Sequence, residues 1–598
     1  MPNRELVAWA NGERMGGVAD NDDIWSFTYD PQWLAAKSAF PLSPAFPLRQ
    51  EPFIDGSSNR PVQWFFDNLL PEEGMRQALA REAKIDGSDA WGLLGYYGRE
   101  SAGALTLLAP DEKEPPGALR PLSFANLEAR IIAMPQRPLT AAAPKRMSAA
   151  GAQPKLLITM RGEPPVCELF EPEGSEPSMQ LLKPDSRAAG YPHSAINEFF
   201  CMRLARAVAL PVPATHFVRV PTPCYIVDRF DRDTTAQPTR RLHVIDAAQL
   251  LNFSKDYKYD GANAQRLREA IDRTSTRANT RLEIFRWAVF NVLVGNGDAH
   301  LKNLSFFVTP LGYMLAPFYD IVSTAVYHTR TYQPERADQW PNCELTMQVG
   351  DARHFADISR QNMLKLADEL GLPGRGAERL LDGMLEVFRA RVDETFNAVV
   401  NIATPDVGEM RLLNSIRAMP IAEMSRALTH LGYGQLEINE NAGAFTTARQ
   451  YWNCGRGCFA VCCTRDFGRY QATVSRSRTR RSCMVRRFAP EFVKRWNRFR
   501  AVVRASRQTI NFMLSARCDV TAPQEHDRVV GRPVRSDQRL HLESAGRESC
   551  QAMDGQHRCR EIGPEQWLAA RGHFGQGLRR LPYVCPSRDW RTALLRCD

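Results

Sequence analysis

The chain reads as an α+β protein: a small mixed N-terminal subdomain, a β-rich lobe, a helical lobe and a C-terminal tail of different character. Three observations carry this. Short β-prone runs with few helices mark the chain up to residue 230, and helical periodicity dominates 231–440. Composition then changes abruptly. Residues 441–598 hold 29 Arg, one Lys and 13 acidic residues, a net +17, whereas 1–440 hold 47 basic and 54 acidic residues, a net −7. The overall +10 of this 598-residue chain therefore belongs to its last quarter and identifies no acidic partner for the rest. Only Cys167, Cys201, Cys224 and Cys343 precede residue 440, while ten cysteines lie beyond it. So sparse a set suits a reducing compartment. No charged-flanked apolar leader and no apolar run of about 20 residues is present, so a soluble, cytoplasmic protein is expected.

Residues 1–110 form the first unit. Leu6–Trp9 and Trp25–Tyr29 read as strands across a Gly/Asn/Asp turn. Helical spacing follows over 62–84 (Phe65, Phe66, Leu69, Met75, Leu79) and is broken at Pro71, with Glu72 and Glu73 in the new first turn. Strand character returns at Ala102–Leu108, and the Pro/Glu/Lys-rich 110–121 reads as a linker. The second unit, 111–230, opens with the small-residue loop Ser148–Lys155 leading into Leu156–Met160, a flexible loop on a hairpin. Met179–Lys183 reads as a strand and Ser194 as the N-cap of a helix carrying Ile196, Phe200, Leu204 and Val208. Paired strands at 217–220 and 225–227 end at Asp228–Arg232. The third unit, 231–440, contains the helix Thr280–Val294 with Phe285, Val289 and Leu293 on one face. A polar loop, a hairpin around Pro310-Leu311-Gly312 and further helices, notably 376–398, complete it.

The polar loop carries the chemistry. It reads Asn296-Gly297-Asp298-Ala299-His300-Leu301-Lys302-Asn303, and Phe318-Tyr319-Asp320 follows the hairpin. A carboxylate with an amide five positions on, then a second carboxylate beyond a short hairpin, is the spacing phosphoryl transfer needs. Asp298 is expected to orient the attacking hydroxyl, and Asn303 and Asp320 to hold the Mg²⁺ that would accompany the phosphates of ATP. Lys302 is expected to neutralise charge on the transferred phosphoryl group, and His300 to hold the loop on its nucleotide side. Lys183, at the end of an apolar strand, suits α/β-phosphate binding, with Glu198 on the next helix to hold it. Backbone amides of Ala149, Ala150, Gly151 and Ala152 could cradle phosphate, although the loop is neither a Walker A motif nor a protein-kinase Gly-rich loop. Residues 228–232 fall at the hinge of a two-lobed kinase. Backbone groups of Asp228 and Phe230 could pair with adenine, and Asp231 could reach the ribose. No Ser/His/Asp hydrolase arrangement, HExxH or paired CxxC occurs in 1–440.

Taken in order, these motifs make residues 1 to about 435 resemble the HipA family of toxin serine/threonine kinases. Phe66-Asp67-Asn68-Leu69-Leu70-Pro71 and Gly98-Arg99-Glu100-Ser101-Ala102-Gly103-Ala104 resemble its small N-terminal subdomain. Ser148–Lys155 resembles its phosphate loop, and Asp228–Arg232, Asp298–Asn303 and Pro317–Asp320 its nucleotide and metal motifs. The resemblance implies a two-lobed protein-kinase-like fold and phosphorylation of serine on protein substrates, aminoacyl-tRNA synthetases among them. It also implies neutralisation by a helix-turn-helix, HipB-like antitoxin that brings the pair to operator DNA. Ser148 falls on the family's autophosphorylation site. A phosphate there would set about two negative charges beside the ATP phosphates and eject the loop, an off switch. Pro154 departs from the acidic or polar residue expected at its position and stiffens the loop. An active protein kinase stands beside two alternatives: a catalytically weak regulatory subunit acting at DNA through its antitoxin, and a small-molecule kinase of the same architecture.

The tail, 441–598, does not continue this pattern. Cys454, Cys458, Cys462 and Cys463 lack the paired spacing of a zinc site, and the arginines around 476–487 could bind nucleic acid without sequence preference. The Lys-to-Arg shift reads as codon composition: out-of-frame translation or a fused extension beginning near 440. It is expected to be disordered or poorly packed, with one possible helix at 485–515.

Overall fold

A computed structural model describes residues 4–134, 136–147, 151, 153–257 and 262–429, and the backbone of 448–454, 457–466 and 469–476. The chain divides into two units, Met1–Gly432 and Tyr433–Asp598.

The first unit opens with an antiparallel sheet of β1 (Arg4–Ala10), β2 (Glu13–Asn21), β3 (Ile24–Tyr29), β4 (Phe53–Ile54) and β5 (Leu105–Leu108), in the order β4-β3-β2-β1-β5. The stretch read as a turn is thus itself a strand, β2, because Gly16, Val18 and Asp20 alternate inward while polar residues at the two-residue turns reverse the chain. Against this sheet lie α1 (Pro31–Ala35), α2 (Pro61–Asp67), α3 (Glu73–Ala83) and α4 (Ala90–Tyr97). Pro61 starts α2 where a missing N–H costs nothing, and the Asp55 carboxylate caps the amides of Val62 and Gln63. As expected, the helical stretch breaks at Pro71.

The β-rich lobe is a six-stranded antiparallel sheet of β6 (Ala118–Leu122), β7 (Leu156–Glu163), β8 (Val166–Glu173), β9 (Gln180–Pro184), β10 (Thr215–Arg219) and β11 (Pro223–Asp228), ordered β10-β11-β9-β7-β8-β6. The presumed linker therefore ends as an edge strand, its Pro121 tolerable there because only one neighbour, β8, needs its hydrogen bonds. One face packs on α5 (Phe124–Ala133), through Leu127 and Ile131. The other meets α6 (Ser194–Ala207). Ser194 is the first helical residue rather than the N-cap. Asp185 does the capping, accepting from the amides of His193 and Ala195.

The helical lobe begins with the short pair β12 (Arg232–Asp233) and β13 (Arg240–Arg241), then β14 (Val244–Asp246), α7 (Ala247–Leu251), α8 (Ala264–Arg273) and α9 (Arg277–Val294). Phe285, Val289 and Leu293 are fully buried, as their shared face predicts. β15 (Ser305–Thr309) and β16 (Gly312–Leu315) form the expected hairpin and add β14 on the outer side. After a second hairpin, β17 (Glu344–Val349) and β18 (Ala352–His354), come α10 (Arg360–Glu369), α11 (Gly374–Ala403), α12 (Val407–Ile416) and α13 (Ala422–Leu428). Pro420 lies in a single π-turn between the last two. One apolar core runs continuously from the N-terminal sheet to these helices. Among the described residues no helix is long and apolar enough to cross a membrane.

The second unit contains a three-stranded antiparallel meander, β19 (Ala448–Cys454), β20 (Gly457–Asp466) and β21 (Arg469–Arg476). The helix expected at 485–515 lies outside the described residues.

Candidate active site

Two acids converge on one lysine where β9, α6 and the segment after β16 meet. Lys183 pairs in register with Tyr225 of β11. Its ammonium donates to both Glu198 oxygens at 2.8 and 3.1 Å and to Asp320 Oδ1. Lys183 and Glu198 are buried, whereas 38% of the Asp320 side chain stays exposed. Burial alone would favour a neutral Lys183, but Asp320 and Glu198 together more than offset it and hold the lysine cationic. The two acids split in opposite directions. Burial pushes Glu198 up to about 7 in spite of Lys183, and the neighbouring Asp320 adds to the rise. Burial would also raise Asp320, but Lys183 and Lys155 bring it down to about 2. Anionic charge is therefore concentrated on the one carboxylate that still reaches solvent.

Asp320 is held there by its neighbours. Its own φ is +59°, in the left-handed region. Phe318 stacks on Trp287 of α9, and the Tyr319 hydroxyl donates to the Lys302 carbonyl at 2.7 Å. That bond joins the metal-motif segment to the polar loop. The loop itself starts where α9 ends at Gly295, φ +70°, where a Cβ would lie 2.6 Å from Pro420 Cβ. Only glycine fits both constraints. The loop is then stapled at several points. Asn296 donates to Asn291 Oδ1, Gly297 N–H to Thr324 Oγ1 and Asn303 Nδ2 to the Asp298 carbonyl at 3.0 Å. With its nitrogen donating there, the Asn303 amide keeps its oxygen as an acceptor. Asp298 is exposed on this rigid loop, its N–H donated to Asn296 Oδ1. His300 is half-buried and adds to the cationic field on Asp320.

The structure thus brings together Lys183, Glu198, Asp320 and His300, and on the adjoining loop Asp298 and Asn303. Two expectations need correction. Lys302 does not face a phosphoryl position: its buried ammonium lies 2.6 Å from Asp246 Oδ2 and 2.8 Å from Asn68 Oδ1, within the protein. Asp231 does not reach for a ribose. It is buried against Arg229 and Arg232 and accepts the Gly103 N–H, which holds its carboxyl far below the usual range against the effect of burial. At the hinge, the Asp228 N–H is spent on the Ala214 carbonyl. Phe230 packs its ring against Phe307 and Tyr319. Ser148, Ala149, Ala150 and Ala152 lie outside the described residues.

One site residue escaped the sequence reading. Lys155 ends the phosphate-like loop and is pushed down to about 8 by burial and by the Lys183 ammonium, with Asp320, Glu198 and Glu72 acting in the other direction. Gly151, φ +103°, makes room for it: a Cβ there would sit 2.7 Å from Lys155 Nζ. Its signal was a lysine directly between the loop's only glycine and a buried strand. As a donor set, Asp320 and Asn303 supply hard oxygen ligands of the kind Mg²⁺ takes alongside phosphate and water. Among the described residues no group of three His, Cys, Asp or Glu could hold a metal without such help.

Comparison with known proteins identifies the family. Residues 6–108 match the model of the HipA N-terminal domain and 147–392 that of the HipA-like C-terminal domain. The putative kinase Y4mE of Sinorhizobium fredii is 32% identical over 423 residues, 67% of this chain and 95% of that protein. The serine/threonine-protein kinase toxin HipA of Shewanella oneidensis is 30% identical over 427 residues, 68% of this chain and 91% of that one. Among solved structures, the Shewanella oneidensis MR-1 complex of HipA, HipB and operator DNA superposes with a TM-score of 0.58 at 26% identity, covering 71% of this chain and 97% of the other. With both domain models matched in order and two relatives spanned almost end to end, this chain belongs to the HipA family of toxin–antitoxin serine/threonine kinases.

Proposed function

We propose that this protein transfers the γ-phosphoryl group of ATP to a serine of a cellular protein, with Asp298, Asn303, Asp320 and Lys183 as its working parts. The observation that carries the reading is the buried Lys183–Glu198 pair bonded to Asp320 beside the stapled Asp298–Asn303 loop. Lys183, kept charged by two acids, would bind the nucleotide phosphates. Asp320 and Asn303 would hold Mg²⁺, which when bound supplies charge neutralisation between the phosphates. Asp298, exposed and fixed through its backbone, would accept a hydrogen bond from the acceptor hydroxyl and orient it for in-line attack. Lys155 would add a second cation on the loop side, and Gly151 would let that loop lie close to the phosphates.

Regulation and partners follow the family in this reading. Ser148 is the proposed autophosphorylation site, its phosphate repelled by bound nucleotide. A HipB-like helix-turn-helix antitoxin is the proposed partner, and operator DNA would be reached through it; the solved relative in complex with HipB and operator DNA favours that assignment. An aminoacyl-tRNA synthetase is the first substrate to try. Cys167, Cys201, Cys224 and Cys343 are free, in keeping with a proposed cytoplasmic setting. The domain organisation proposed is 1–110, 111–230, 231–440 and a tail. Mass spectrometry after incubation with ATP and Mg²⁺ tests the reading: phosphate should appear on Ser148 and on an added protein substrate. Equal incorporation by the Asp298→Ala protein, or none by the wild type, would overturn it.

A further inference from the structure

Lys302 sits between the candidate metal ligand Asn303 and the rest of the loop, yet its side chain points the other way. The ammonium has three donors. They are met by Asp246 Oδ2 at 2.6 Å, Asn68 Oδ1 at 2.8 Å and the Asn68 carbonyl at 3.3 Å, with Glu72 Oε1 at 3.6 Å. Only 5% of the side chain is exposed. Asn68 and Glu72 belong to the corner between α2 and α3 of the N-terminal subdomain, 234 residues away in the chain for Asn68. The orientation of the Asn68 amide is fixed from behind, because its nitrogen donates to the carbonyls of Trp64 and Phe253. Asp246 is fixed too, as the N-cap of α7 in a reciprocal capping box with Gln249, whose amide in turn donates to the Phe65 carbonyl. The other end of Lys302 is equally committed. Its carbonyl accepts from Tyr319, next to Asp320.

We propose that Lys302 is a positioning residue: with Asn68 it makes the geometry of the Asp298–Asn303 loop depend on the docked N-terminal subdomain. The subdomain then acts as a part of the catalytic apparatus without touching nucleotide. This rests on the phosphoryl-transfer reading for its kinetic consequence but not for its structural one. A lysine bound at both ends to fixed partners transmits a shift of the subdomain to Asn303, one residue away, and to Tyr319–Asp320. Displacements of the order of 1 Å in such loops cost about 10- to 100-fold in rate.

The test uses the full chain with Asn68→Ala, Lys302→Met and the double variant. Three quantities are read: kcat and KM for ATP, amide hydrogen exchange over 296–304, and the melting midpoint. Both single variants should lose about 10- to 100-fold in kcat with KM for ATP nearly unchanged, and exchange over 296–304 should speed up in both. The double variant should be no worse than either single one. Lys302→Met, which leaves the bonds of Asn68 to the Trp64 and Phe253 carbonyls in place, keeps the proposal decidable should the alanine variant fail to fold. Normal kcat and normal exchange in Asn68→Ala would overturn the proposal, as would additive losses, which would return Lys302 to a direct role at the phosphoryl group. A wild-type chain with no kinase activity would sink the phosphoryl-transfer reading, while the exchange data would still decide the coupling.

Discussion

The Lys183 ammonium stands 2.8 Å from one Glu198 oxygen and 3.1 Å from the other, and the same nitrogen bonds Asp320. Two acids on one buried cation cannot share it equally. Burial lifts Glu198 to about 7, and Asp320 falls to about 2. Glu198 is therefore the group of this pair that changes charge near neutral pH, and it is the one that sets where the lysine points.

The pH dependence follows. On kcat/KM, which reports free enzyme, the acidic limb should have its midpoint near 7, as Glu198 loses its charge and its grip on Lys183 weakens. Lys155, lowered to about 8, should set the alkaline limb as it loses its positive charge. Both midpoints belong to the coupled site as a whole. Glu198→Gln should flatten the acidic limb and Lys155→Arg should move the alkaline limb upward. For stability the sign of Glu198 is the reverse of the usual acid. Its folded pKa is raised, so its contribution is present below 4.5 and lost as pH rises through 7. A pH series of urea midpoints for wild type and Glu198→Gln checks this.

Asp298 is exposed at its place on the loop, so removing its side chain should cost the fold little. Asp298→Ala is expected to lower kcat by about 10²- to 10⁴-fold with an unchanged melting midpoint. Asp320→Asn should differ in kind. It weakens the anion that both Lys183 and the proposed Mg²⁺ use, so activity should recover in part at higher Mg²⁺. A titration of rate against Mg²⁺ separates the two variants.

Much of this was legible in the chain because it is local. The Asp298–Asn303 spacing, the Lys183 strand, the break at Pro71 and the buried face of α9 depend on neighbours in sequence, and patterning reports neighbours. The misread residues share the opposite property. Lys302 and Asp231 look like site residues because each lies within a motif, but their full sets of partners reach across the fold, to Gly103 for Asp231 and to Asp246 and Asn68 for Lys302. The strand β6 was hidden for a similar reason: its Pro-containing, half-exposed sequence becomes a strand only because β8 offers an edge. Lys155 needed the folded loop before its proximity to Lys183 could be seen.

Glu100 shows how firmly the N-terminal subdomain is joined to the hinge. It is fully buried and accepts from Arg232 at 2.7 Å, Arg229 at 3.3 Å and the Ser178 hydroxyl at 2.6 Å, with Lys145 3.2 Å from its other oxygen. Burial alone would raise its pKa, but Lys145 and the arginines carry it well below the ordinary glutamate range. Glu100→Ala leaves these cations buried without their acid and should destabilise the unit by about 3–5 kcal/mol in urea unfolding. Because the folded pKa is depressed, the stabilisation is present above pH 4.5 and lost on acidification. The wild type should therefore lose its advantage over the variant at low pH. A constant difference between the two from pH 7 to pH 3 would show that packing, not charge, holds this joint.

Cutting the chain after Gly432 tests whether the basic tail belongs to the activity. The first unit closes on itself there. Leu428, at the end of α13, is fully buried, and Arg389 secures that turn by bonding the Ser425 carbonyl and the Thr429 hydroxyl. Relatives matched over 91–95% of their own length need only about two thirds of this chain. The 1–432 protein should thus fold, melt where the first unit of the full chain melts, and keep its turnover. A cut after Ile416 should fail, because it removes the buried Ile421, Met424 and Leu428 from the core. Retention on a polyanion column should separate the proteins in the other direction. Residues 441–598 carry +17, whereas 1–440 carry −7, so the truncated form should elute early. A 1–432 protein that folds but has lost its kinase activity would instead assign the tail a part in catalysis, and would refute its reading as an out-of-frame or fused extension.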